Sequence, residues 1–152
     1  MTAPTPLRPI LVSGLDDALI AAGVAAAAGD SAGTPLVLMA PPAAGGAWLC
    51  GLVDRVRKAH PGLDVAGLLD CGDRAGEAQA ALAAGLPLVL FNGRPEAAGR
   101  LAAIAAAHGA ALLTRCPPVL DLAAHASAEG RGRRRAAALE ALCRAWLARD
   151  QG

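Results

Sequence analysis

The chain writes the same phrase twice: Ala32-Gly33-Thr34-Pro35-Leu36-Val37-Leu38-Met39 and Ala84-Gly85-Leu86-Pro87-Leu88-Val89-Leu90-Phe91. Each copy emerges from an alanine-rich run of helical length. A third, degenerate copy runs from His108 through Ala111-Leu112-Leu113-Thr114 to Cys116-Pro117-Pro118, and its ending echoes Ala40-Pro41-Pro42. Repeating one strand direction over so short a distance requires a crossover helix that returns the chain to a parallel neighbour. The repeat therefore dictates an α/β protein built on a parallel sheet.

Five strand-helix units follow from the pattern. Ile10–Ser13 leads into a helix over Leu15–Ala28, Leu36–Met39 into Trp48–Ala59, and Val65–Leu69 into Gly76–Ala84. Leu88–Phe91 leads into Pro95–His108, and Ala111–Thr114 into a short Asp121–His125 segment. The strands are continuously apolar, which is how strands covered on both faces read. Pro35 and Pro87 open strands, where a missing N–H does least harm. The expected fold is a five-stranded parallel sheet with helices on both faces, a flavodoxin-like three-layer sandwich. Half of a (β/α) barrel is the alternative, and it would leave strand edges and an inner face to be covered.

Residues 1–126 are expected to form this single α/β domain, and 127–152 a linker and a C-terminal helix packed on it or on a partner. Ser127–Gly132 is polar and glycine-bearing. Arg133–Arg149 reads as an amphipathic helix whose Leu139, Leu142 and Trp146 share one stripe. The basic run Arg131, Arg133, Arg134 and Arg135 sits at its N-terminus, where positive charge opposes the macrodipole. One expectation is that the stripe docks on a second copy or a partner protein; the other is ordinary packing on its own sheet.

Charge narrows the partners. Fourteen basic against thirteen acidic side chains give a net charge of +1, which removes the electrostatic case for nucleic acid. The apolar run Ile10 to Ala28 is interrupted by Asp16 and Asp17 and broken by Gly14 and Gly23, so a membrane span is not expected and a cytoplasmic protein is. Cys50, Cys71, Cys116 and Cys143 are widely spaced without a Cys-x-x-Cys pair, and read as reduced, buried thiols.

In parallel α/β folds ligands meet the loops at the strand carboxyl ends. The polar residues gather there: Ser13 and Asp16 after the first strand, Asp70 and Asp73 after the third, Asn92 and Arg94 after the fourth, Thr114 and Arg115 after the fifth. Gly45 and Gly46 stand before the second helix. Arg94 and Arg115 offer bidentate donors for a phosphate or carboxylate. Helix capping explains many of these residues too. Asp16 and Asp17 suit a first turn, Asp73 suits an N-cap, and Asn92-Gly93-Arg94-Pro95-Glu96 suits a helix start. Asp70 ends an apolar strand ahead of the cap and is the hardest to explain that way.

Other chemistries lack their residues. His60 and His108 close helices at the opposite end of the sheet, His125 lies beyond the fifth strand, and no pair has a ligand spacing, so no metal is expected. Ser13 lacks a Gly-x-Ser-x-Gly elbow, and Cys71 has no histidine on its face. Glycine patterns for nucleotide phosphates are absent, and no cofactor is expected.

Gly14-Leu15-Asp16-Asp17-Ala18-Leu19, the stretch from Val56 to Gly67, and the stretch from Ala78 to Gly93 together resemble the opening strand-helix units of keto-deoxy-phosphogluconate aldolases and related phosphate-binding (β/α) barrels. The resemblance spans about residues 8 to 118 and is carried by small and apolar positions. It implies a barrel-like succession of strands and a phosphorylated or keto-acid ligand. The family's glutamate after the second strand is replaced by Met39-Ala40-Pro41-Pro42, and the only lysine, Lys58, lies on a helix instead of supplying a Schiff base.

The residues thus favour a non-catalytic or degenerate-enzyme domain that binds a small anionic metabolite. Any reaction would be lyase or isomerase chemistry on a small phosphorylated or keto-acid substrate. A ligand-free scaffold acting through protein contacts is the alternative. A receiver-like signalling domain is a minor one, suggested by Asp16, Asp17 and Asp70, although Arg115-Cys116-Pro117 stands where such domains keep a lysine.

Overall fold

The computed structural model describes residues 7–29, 34–128 and 132–148, apart from the side chains of 126–128. In chain order the elements are β1 (Ile10–Leu11), α1 (Leu15–Ala27), β2 (Leu36–Met39), α2 (Gly45–Ala59), β3 (Val65–Asp70) and α3 (Ala75–Ala83). They continue with β4 (Leu88–Leu90), α4 (Pro95–Ala107), β5 (Ala111–Leu113), β6 (Leu120–Asp121), α5 (Leu122–Ala128) and α6 (Arg133–Leu147). The sheet is wholly parallel, in the order β5-β4-β3-β2-β1-β6.

All five expected strands form, and a sixth joins them. Leu120 and Asp121 pair with Ile10 and Leu11, so Asp121 belongs to a strand and not to the helix expected from Asp121 to His125. Its Oδ1 accepts the Ala124 N–H at 2.9 Å and caps α5. The expected linker from Ser127 begins inside α5; Arg131, Arg149 and the opening Ala32-Gly33 of the first repeat lie outside the described residues.

Helices on both faces, and the flavodoxin-like order, are corrected by the winding. From β1 to β5 each strand is added on the same side of its predecessor. Right-handed crossovers then place every connecting helix on one face. Side chains agree: Ile10, Val12, Leu36, Leu38, Val65, Leu69, Val89 and Phe91 share one core with residues of all six helices. The alternate positions Val37, Met39, Leu68 and Leu90 form a second cluster to which no helix contributes. The protein has two layers, and its strand succession is that of a (β/α)-barrel segment.

The second face is nonetheless dry: Val37, Leu68 and Leu90 are at most 1% exposed. The chain between β5 and β6 explains how. Seven steps from Leu113 to Leu120 can span at most about 25 Å. A flat sheet would separate these strands by about 24 Å sideways, before any descent from one strand's carboxyl end to the other's amino end. The sheet must curl, drawing its open edges towards each other, and Val119 of the connection packs with Leu7 and Leu11 onto the inner cluster. No ladder joins β5 to β6 among the described residues, so the sheet stays open. Burying each such Leu or Val stabilises by roughly 1.5–3 kcal/mol, and no second half-barrel is needed to cover them.

α6 lies along α1. Leu139 and Cys143 are fully enclosed by their own chain, while Leu142 and Trp146 are half-buried. Trp146 Nε1 donates to the Arg8 carbonyl at 3.2 Å, and Arg8 Nη1 donates back to the Trp146 carbonyl at 2.9 Å. Of the apolar stripe, a partner at this helix would therefore meet only the exposed parts of Leu142 and Trp146. No helix among the described residues is long and apolar enough to cross a membrane.

Candidate functional site

Because β3, β4 and β5 are consecutive in the sheet, the loops that leave them form one ledge. Backbone bonds stitch it: Cys71 N–H to the Leu90 carbonyl, Asn92 N–H to the Gly72 carbonyl, and Phe91 N–H to the Leu113 carbonyl, each 2.8 Å. Gly93 lets the loops close. A Cβ there would stand 2.4 Å from Phe91 Cζ and 3.2 Å from the Asp73 Cα. Asp70, Asp73, Asn92, Arg94, Thr114 and Arg115 are all exposed on this ledge.

Their roles divide on hydrogen bonding. Asp70 Oδ1 accepts the Gly72 N–H at 2.9 Å, an Asx turn that supports the positive φ of Gly72 and explains why an acid ends an apolar strand. Asp73 is not the N-cap of α3. That position falls to Arg74, whose guanidinium pairs with Glu77. Arg94 is the N-cap of α4, followed by Pro95 and Glu96 as a helix start favours, but no side chain caps this helix. The side chains of Arg94 and Arg115 make no hydrogen bond or ion pair among the described residues. The α4 N-terminus thus presents open backbone N–H groups, with Arg94 at its N-cap and Arg115 on the neighbouring loop.

Ser13 and Asp16 do not join the ledge, since β2 stands between β1 and β3. Ser13 donates both its N–H, at 3.1 Å, and its hydroxyl to Asp17 Oδ2. Asp17 is 1% exposed, and its Oδ1 accepts Arg135 Nη2 at 2.7 Å. The acidic pair that suggested a receiver pocket is therefore split: Asp16 faces solvent, and Asp17 anchors α6. A signal for this lay in the sequence. Asp17 precedes Ala21 and Val24 at helical spacing on the apolar stripe of α1, and a carboxylate buried there needs a cation.

The Cys71 thiol is no activated nucleophile for the ledge. Cys71 is fully buried beneath it, and desolvation, with the Glu77 and Asp70 carboxylates adding to it, pushes its thiol up to about 11. Burial, then Asp17 and Glu140, do the same for Cys143. Cys50 is half-buried, and Cys116, expected inside, is exposed at the β5–β6 connection. Among the described residues no three His, Cys, Asp or Glu side chains converge as a metal site would require.

A feature that sequence reasoning missed lies at the other end of the sheet. A cleft of about 740 Å³ opens at the strand amino ends between the ends of α1 and α2, and none of the eight expected site residues lines it. Its walls are mostly alanine, proline and leucine, which carry no chemical signature in a sequence. Protein-family models and curated proteins offer no match to this chain.

Proposed function

We propose that the protein binds a small anionic metabolite, phosphorylated or carboxylated, at the ledge above β4 and β5, and does no chemistry on it. What supports this reading is the α4 N-terminus, uncapped by any side chain, with Arg94 at its N-cap and Arg115 on the neighbouring loop, neither guanidinium engaged by another described residue. Two backbone donors and two planar forks suit an oxyanion of tetrahedral or carboxylate shape. Asp70 does not compete, because its carboxylate is turned to Gly72. Reading it as binding without turnover rests on the buried, protonated Cys71 thiol beneath the ledge and on the lack of a histidine among the described residues of the β3, β4 and β5 loops.

A thermal-shift screen of the intact chain against sugar phosphates and short keto acids tests the reading. A ligand at a hundredfold over its Kd should add about 2.7 kcal/mol of stability. The shift should vanish in the double variant Arg94→Ala, Arg115→Ala, whose own melting point stays within a degree or two of the parent, since neither side chain is tied to the fold. An unchanged shift in the double variant contradicts the assignment.

A further inference from the structure

The cleft at the strand amino ends is a second site with its own electrostatics. α1 and α2 run against the strands, as helices of β-α-β units must, and α6 runs alongside α1: its first turn meets Asp17 and its last turn meets Arg8. Three helix C-termini consequently converge. Ala28 and Gly29 at the end of α1, Ala59 and His60 at the end of α2, and Leu147 of α6 all line the cleft.

Each helix end carries roughly half a negative charge on carbonyls that lack a partner in a following turn. α1 has no basic residue in its last turn to offset this; α2 carries Arg57 and Lys58 there and α6 carries Arg144, all three outside the cleft lining, so the α1 end is the least compensated of the three. Asp64 adds a carboxylate to the lining. Of the two described lining side chains able to carry positive charge, Arg8 and His60, Arg8 directs Nη1 to the Trp146 carbonyl and so compensates α6. The remaining wall is methyl-rich, with Ala25, Leu36 and Leu63, and holds no aromatic ring among the described residues.

We propose that this cleft binds a primary alkylammonium compound. Carbonyl ends and a carboxylate call for a cation that donates, and –NH₃⁺ brings three donors. A quaternary ammonium brings none and would need an aromatic face, which is missing here. The apolar wall takes the alkyl body, and the volume lies within the usual range for small-molecule sites.

Isothermal titration of the intact protein at pH 8 with hexylammonium, hexyltrimethylammonium and hexanoate, at matched ionic strength, tests the proposal. Hexylammonium should bind saturably, at least tenfold more tightly than either comparator. Asp64→Asn should weaken it at least threefold without changing the melting point of the free protein, and the Arg94→Ala, Arg115→Ala variant should bind it as the parent does. Failure of hexylammonium to saturate overturns the assignment, as does hexanoate or the trimethylated analogue binding equally well, or indifference to Asp64→Asn. None of these results bears on the ledge at the opposite end.

Discussion

Arg135 Nη2 lies 2.7 Å from Asp17 Oδ1, joining residues 118 positions apart. The carboxylate is 1% exposed and the guanidinium 23%, so the pair closes the α1–α6 interface with its acid side dry and its basic side still touching water. Ser13 takes the other carboxylate oxygen through its N–H and its hydroxyl. One arginine of the basic run is thereby fixed in the fold, and it brings the N-terminus of α6 onto the start of α1.

Arg135→Ala should cost about 3 kcal/mol of unfolding free energy in a urea titration, because it strands a buried carboxylate. Replacing both partners, Asp17→Asn with Arg135→Met, should recover most of that loss. Equal destabilisation by the single and double changes would show that the charge pair itself is not what holds α6.

Gly93→Ala should destabilise by about 1–3 kcal/mol, since the new methyl meets the ring of Phe91, itself only 1% exposed and unable to move aside. Gly99→Ala, in the middle of α4 with nothing within 4 Å of the added Cβ, should stabilise by up to about 1 kcal/mol. Opposite signs in paired thermal melts check both.

Local pattern carried the strands and the helices between them, because Pro-Leu-Val-Leu runs and alanine-rich helices announce themselves within ten residues. The layering was not legible. Whether β2 adds to the left or right of β1 decides on which face a helix lands, and that choice is settled by pairings such as Leu38 with Gly67 that no local motif encodes. β6 is two residues long and exists only through its pairing with Ile10 and Leu11. At the site, Arg94 and Arg115 stand out in the sequence as charges after strands. The Asx turn at Asp70 and the loss of Asp73 as a cap depend on backbone geometry beyond the reach of residue type.

Thiol chemistry follows from burial. At pH 8 a disulfide exchange reagent should modify Cys116 quickly and leave Cys71 and Cys143 unmodified until the chain unfolds. Because both buried thiols titrate near 11, against a usual 9.0, the folded state holds protons that the unfolded chain releases. Their contribution is fully present below pH 9 and is lost as pH rises towards 11, on the order of 2 kcal/mol per thiol. Unfolding free energies measured from pH 8 to 11 on the parent and on Cys71→Ala should show the smaller decline in the variant.

The most direct test of the binding account is an amide ¹H–¹⁵N titration of the intact chain with a small sugar phosphate that scores in the thermal screen. The ledge predicts saturable shifts concentrated at Gly72, Gly93, Glu96, Ala97 and Arg115, with His60, Gly62 and Asp64 unmoved. Shifts centred on the strand amino ends, or no saturable shift for any phosphorylated or keto-acid compound, would contradict the account.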